Sequence, residues 1–125
     1  MAVESNVRET PQSASSLDPG RVAEMQRAGE VELIDVRQPD EWDQSHIAGA
    51  RHIVLEELPS HADSIPRERP VVFHCRSGNR SAMAADAFQL AGYDAYNMAG
   101  GLLAWHEEGL PLEPEGAGVS ERSSR

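Results

Sequence analysis

One stretch of this 125-residue chain gathers groups that could do chemistry together: Cys75-Arg76-Ser77-Gly78-Asn79-Arg80-Ser81. Cys75 is the only cysteine, so neither an internal disulfide framework nor a multi-cysteine zinc or iron–sulfur site can form. A lone thiol is either a small apolar filler at the end of a strand or a nucleophile, and the neighbouring residues favour the nucleophile. Gly78 and Asn79 both tolerate positive φ, which lets the backbone curl with its amides facing inward as an anion-binding nest. A helix beginning near Arg80 would add unpaired N–H donors and the positive end of its dipole. Arg76 and Arg80 place two positive charges on a chain whose 21 acidic and 11 basic residues give a net charge of -10. A thiol in that cradle is expected to be held as thiolate. Cys75 is then the catalytic residue, with Arg76, Ser77, Gly78, Asn79, Arg80 and Ser81 as the substrate-binding cradle. Residue types alone leave the product open, because the same donors would stabilise a persulfide, a phosphothiolate or a thioester oxyanion.

Such a loop needs elements to hold it. Residues 70–75, Pro-Val-Val-Phe-His-Cys, form the most continuous apolar run and predict a strand covered on both faces of a parallel sheet. Residues 81–91 are alanine-rich and predict a helix that lies close to that sheet, capped by Gly92. The loop thus sits beyond the carboxyl end of a central strand, where open α/β sheets bind ligands. Upstream, Asp18-Pro19 is an N-cap followed by an N1 proline, opening a helix that Gly29 closes. Residues 31–36 read as a strand stopped at Pro39. Residues 40–45 read as one helical turn, 50–54 as a brief extended segment, and a further helix starts at 55–58. Residues 93–98 predict another strand, and a last helix starts at 102–105 before Gly109 and Pro111. Alternation of strand and helix implies βαβ units and a parallel sheet, an α/β fold.

The length suits one domain. Residues 1–16 and 113–125 are poor in large apolar groups and read as flexible ends, leaving 17–112 as the globular part. Mean hydropathy is -0.51 and no apolar run approaches the ~20 residues of a membrane span. The acidic balance, with pI near 4.8, argues against nucleic acid and anionic membranes as partners. The first residues show neither a basic nor an apolar leader region, so the cytoplasm is expected.

The cysteine loop matches in full the C-R-x-G-x-R-S pattern of the rhodanese, or sulfurtransferase, family, which the chain resembles at two further places. These are Asp35-Val36-Arg37-Gln38-Pro39-Asp40-Glu41-Trp42 followed by His46-Ile47-Ala48-Gly49-Ala50, and Asn97-Met98-Ala99-Gly100-Gly101-Leu102-Leu103-Ala104-Trp105 with Gly109-Leu110-Pro111. Ser45, His52 and Val54 depart from the residues usual there. The resemblance implies a rhodanese-like three-layer sandwich of about five parallel strands flanked by helices, in a single-domain member. It implies a reaction without a cofactor, in which Cys75 takes sulfur from a small anionic donor such as thiosulfate and passes it as a persulfide to cyanide or a thiol. Arg76 and Arg80 would attract the dianionic donor. A sulfur-relay or regulatory module working only on a protein partner needs the same activated sulfur. A cysteine phosphatase or arsenate reductase is a further alternative, although those enzymes resemble H-C-x5-R and only four residues separate Cys75 from Arg80.

Asp35 and Arg37 are expected to pair and brace the sheet edge near the loop as supporting residues. The five histidines show no spacing of three or four residues, so no metal site is expected. His74 is expected to point into the sheet, Trp42 and Trp105 to cover the core, and Gly100-Gly101 to make a tight turn beside the cysteine loop.

Overall fold

The computed structural model describes residues 15–119. In chain order the elements are β1 (Ser16–Leu17), α1 (Pro19–Arg27), β2 (Glu32–Asp35), α2 (Pro39–Gln44), β3 (Arg51–His52), α3 (Leu58–His61), β4 (Val71–His74), α4 (Asn79–Leu90), β5 (Ala95–Met98) and α5 (Gly101–Glu107). Short 3-10 turns, Leu55–Glu57 and Ala62–Ser64, flank α3. The five strands form one sheet in the order β1-β5-β4-β2-β3, and every pairing is parallel.

Strand β4 holds the centre because its residues are apolar on both faces. Val71, Phe73 and Cys75 pack with Ala84, Ala85 and Phe88 of α4 and with Leu58 and Ile65. Val72 packs on the opposite face with Val22 and Met25 of α1 and Leu102 and Trp105 of α5. The alternation along one strand makes three layers, helix, sheet and helix. Burying each of Val71, Val72 and Phe73, all at 0 % exposure, contributes about 1.5–3 kcal/mol. Asp18 caps α1 through Oδ1, which accepts the Arg21 N–H at 3.0 Å.

Order extends past both expected limits of the globular part. Ser15 and Ser16 are expected in the flexible lead, but Ser16 opens β1 and Ser15 adjoins it: Asn97 N–H donates to Ser15 O at 2.9 Å and Ala99 N–H to Leu17 O at 2.8 Å. At the other end Glu113 exchanges backbone hydrogen bonds with His46 at 2.7 and 2.9 Å, and the Ser45 hydroxyl donates to Gly118 O. The remaining expected flexible ends, 1–14 and 120–125, lie outside the described residues. Among the described residues no helix is long and apolar enough to cross a membrane.

Candidate active site

Cys75 directly follows β4, and its side chain is 1 % exposed. Three donors converge on its sulfur. Gly78 N–H reaches Sγ at 3.2 Å, Ser81 N–H at 3.4 Å and the Ser81 hydroxyl at 3.3 Å. Gly78 makes this possible by taking φ +105° at the N-cap of α4, a conformation in which a Cβ is strained. Asn79 does not share that role: it is the first helical residue. The helix therefore begins one residue earlier than expected and aims its first turn at the sulfur, where free N–H groups and the dipole favour an anion.

The loop's carbonyls are turned the other way. Cys75 O accepts the Leu102 N–H at 2.8 Å and Arg76 O accepts the Leu103 N–H at 3.0 Å. The first turn of α5 thus fixes the outward side of the loop while α4 serves the inward side. Gly100 and Gly101, with φ +73° and +61°, form the tight turn expected beside the loop, and this turn brings the two backbones into contact.

Ser81 leans on a residue that the sequence reading did not single out for this place. Its hydroxyl lies 2.5 Å from Asn97 Oδ1, and Asn97 is only 4 % exposed on β5. One hydroxyl proton serves either Asn97 or the sulfur, so Asn97 sets the orientation of Ser81. The signal was a polar residue in a strand otherwise buried.

Arg80 is not a free cation. Its Nη1 and Nη2 bind Glu41 Oε1 at 2.8 Å and Oε2 at 3.1 Å. Glu41, at 4 % exposure, is held by the Gln38 N–H, which donates to Oε1 at 3.0 Å. The hydrogen bonds that Arg80 donates to Glu41 raise its pKa above the ordinary value, with a further contribution from Cys75. Burial pushes the Glu41 carboxyl up, but the Arg80 and Gln38 hydrogen bonds outweigh it and the carboxyl ends below its ordinary value. Arg80 and Glu41 therefore sum to zero, so Arg80 does not act as the unopposed charge that the loop sequence alone suggests. Arg76 is half-buried, and Ser77 and Asn79 are exposed at the rim.

Asp35 and Arg37 pair as expected but not at an edge or a surface. Strand β2 is interior, and the two side chains are 0 % and 2 % exposed. Arg37 Nε and Nη2 donate to Asp35 Oδ1 and Oδ2 at 3.0 and 2.8 Å, and Nη2 also donates to Ser45 O at 2.7 Å. Burial works against the Asp35 carboxylate, yet the attraction of His74 and the hydrogen bonds and charge of Arg37 bring its pKa down. His74 is itself pushed down by burial, so Arg37 carries the pairing at neutral pH. His74 lies inside the sheet at 0 % exposure, 3.9 Å from Asp35, and among the described residues neither ring nitrogen has a hydrogen-bond partner. Trp105 is core, at 2 % exposure. Trp42 is half-buried between the rings of His46 and His52, at 3.8 and 4.8 Å between centroids.

A family model for the rhodanese-like domain matches residues 18–108. The chain belongs to the rhodanese-like domain family. A protein named Sulfurtransferase from Allochromatium vinosum is 39% identical over 89 residues, covering 70% of this chain and 83% of that one. The probable adenylyltransferase/sulfurtransferase MoeZ of Mycobacterium tuberculosis is 42% identical over 82 residues, 63% of this chain but only 21% of that longer protein. The solved structure of a rhodanese-related protein from Thermoplasma volcanium superposes with a TM-score of 0.74 at 29% identity, covering 81% of this chain and 99% of that one. The five parallel strands with helices on both faces are the rhodanese-like α/β fold, and kinship to proteins named sulfurtransferases supports sulfur transfer as the class of reaction.

Proposed function

We propose that this rhodanese-like chain transfers sulfane sulfur through Cys75. The Cys75 thiolate attacks the outer sulfur of a small anionic donor such as thiosulfate. The new S–S bond forms as the donor's own S–S bond breaks, sulfite departs with the bonding pair, and a Cys75 persulfide anion remains. A thiolate or cyanide then attacks the terminal sulfur, takes it as a new persulfide or thiocyanate, and returns Cys75 as thiolate. No cofactor enters either step, since sulfur supplies both nucleophile and leaving group.

The observation that carries this reading is the recessed Sγ with Gly78 N–H, Ser81 N–H and Ser81 O–H aimed at it. Fixed donors of this kind stabilise a sulfur anion without reorganising, and they keep doing so when the charge moves one atom outward onto the persulfide. The short loop supports sulfur over phosphoryl chemistry, since only four residues separate Cys75 from Arg80, and Arg80 already pairs with the Glu41 carboxylate. A protein acceptor fits the same chemistry, as does action in the cytoplasm, where a reducing poise keeps a lone thiol free.

Incubation with thiosulfate followed by intact-mass measurement tests the proposal. A gain of about 32 Da, one sulfur, is expected in the wild type and not in Cys75→Ser. Sulfite release by Cys75→Ser at the wild-type rate would overturn it. A loaded Cys75 that yields nothing to cyanide or free thiols assigns the acceptor role to a protein.

A further inference from the structure

The pairing of Arg80 with Glu41 bears on which donor the site takes. Arg80 is the second residue of α4, with its guanidinium close enough to Cys75 for the sulfur to raise its pKa. A guanidinium in that place would ordinarily present two donors to an incoming anion. Here one N–H of each terminal nitrogen is taken by Glu41, and the carboxylate offsets the guanidinium charge.

Glu41 cannot swing away easily. It is 4 % exposed, the Gln38 N–H holds Oε1, and α2 is anchored through Trp42, stacked between two histidine rings. The carboxylate arrives from a segment 39 positions before Arg80, so its presence is a property of the folded site rather than of the cysteine loop.

We infer that Glu41 is a positioning residue that neutralises Arg80 and so sets the site for singly charged sulfane donors over doubly charged ones. This inference rests on the sulfur-transfer reading above. Arg80 and Glu41 together carry no net charge, so the pair adds little field for an incoming anion. A dianion such as thiosulfate gains little from such a field, and a monoanion such as a thiosulfonate or an alkyl persulfide loses little. Removing the Glu41 charge changes the field by one unit, and a dianion feels that change twice as strongly as a monoanion.

Methanethiosulfonate and thiosulfate make the comparison, because each donates its terminal sulfur to the Cys75 thiolate and leaves as methanesulfinate or sulfite. The kcat/KM ratio of thiosulfate to methanethiosulfonate is measured at low ionic strength with cyanide as acceptor. In Glu41→Gln the ratio is expected to rise roughly tenfold, mostly through a lower KM for thiosulfate, and to fall back as salt is added. The paired variant Glu41→Gln with Arg80→Gln keeps the pair at zero net charge and is expected to return the ratio to within about threefold of wild type. A purely structural role for Glu41 predicts instead that both donors suffer alike and that the double variant is worse. An unchanged ratio in a folded Glu41→Gln that still loads sulfur on Cys75 overturns this inference and leaves the sulfur-transfer reading standing. If Glu41→Gln does not fold, the wild-type salt dependence decides. A shallow fall in thiosulfate kcat/KM with ionic strength agrees with a neutralised Arg80, and a steep one overturns it. A wild type that gains no sulfur mass from either donor overturns the underlying reading and this inference with it.

Discussion

Replacing Gly101 by alanine tests how far the cysteine loop depends on its contact with α5. Gly101 takes φ +61°, and a Cβ there would lie 2.5 Å from Arg76 O and 2.6 Å from both Arg76 C and Cys75 O. These are backbone atoms and cannot turn aside as a side chain would. The left-handed conformation alone costs an alanine about 1–2 kcal/mol. Relieving the overlap moves α5 off the loop and breaks the Leu102–Cys75 and Leu103–Arg76 hydrogen bonds, each contributing about 1 kcal/mol. The expected loss is about 3–4 kcal/mol, which in a domain of this size lowers Tm by about 12–24 °C. Gly109→Ala is the control, since its φ is +79° but nothing lies within 4 Å of the added carbon. It bears the conformational cost of about 1–2 kcal/mol and no more. Thermal unfolding gives the stabilities. Intact-mass sulfur loading, run well below both melting points, reports the loop itself and is expected to slow in Gly101→Ala alone. If the two variants melt within a few degrees of each other and load sulfur equally fast, the contact with α5 does not hold the loop.

Two further outcomes are expected. Ser81→Ala removes the hydroxyl whose one proton is shared between Cys75 Sγ and Asn97 Oδ1. Persulfide formation should fall about 10–100-fold with the fold retained, and an unaltered rate would mean that the hydroxyl does not act on the sulfur. His74 is buried and uncharged, with its pKa pushed below 6.5 by desolvation. The unfolded chain therefore binds the extra proton first. Stability should be flat above pH 6.5 and drop as the pH falls below it, by at most about 1.4 kcal/mol per pH unit for that one proton. Asp35 and Glu41, both lowered, add a further drop beneath their ordinary values near pH 4. Urea midpoints at pH 7.5 and 5.5 should differ in the wild type and converge in His74→Leu; equal midpoints in the wild type would refute the assignment.

The cysteine loop was legible because its signals are local. A glycine, two arginines and a helix start within seven residues already describe a cradle, and the apolar run of 70–75 already describes a central strand. What stayed hidden depends on distant contacts. Strand β1 has two residues, too few for any alternation to show, and it exists because β5 offers an edge. Glu41 looked like one charge among many on a helical turn, and only the fold brings it to Arg80. Asp35 and Arg37 were read toward the surface because charged residues usually lie there. They are buried because each satisfies the other, and no spacing in the sequence expresses that. Asn97 carried a weak signal, a polar residue in a buried strand, whose meaning appears only with Ser81 opposite.

The depth of Cys75 also decides what the protein does not do to itself. A disulfide needs two sulfurs at about 2.05 Å with their α-carbons roughly 5.5–6 Å apart, and a side chain 1 % exposed cannot be brought that near its equivalent on a second folded copy. Concentrated protein left in air is therefore expected not to couple covalently through this atom, which non-reducing electrophoresis checks. The backbone that surrounds the sulfur thus screens it from its own kind.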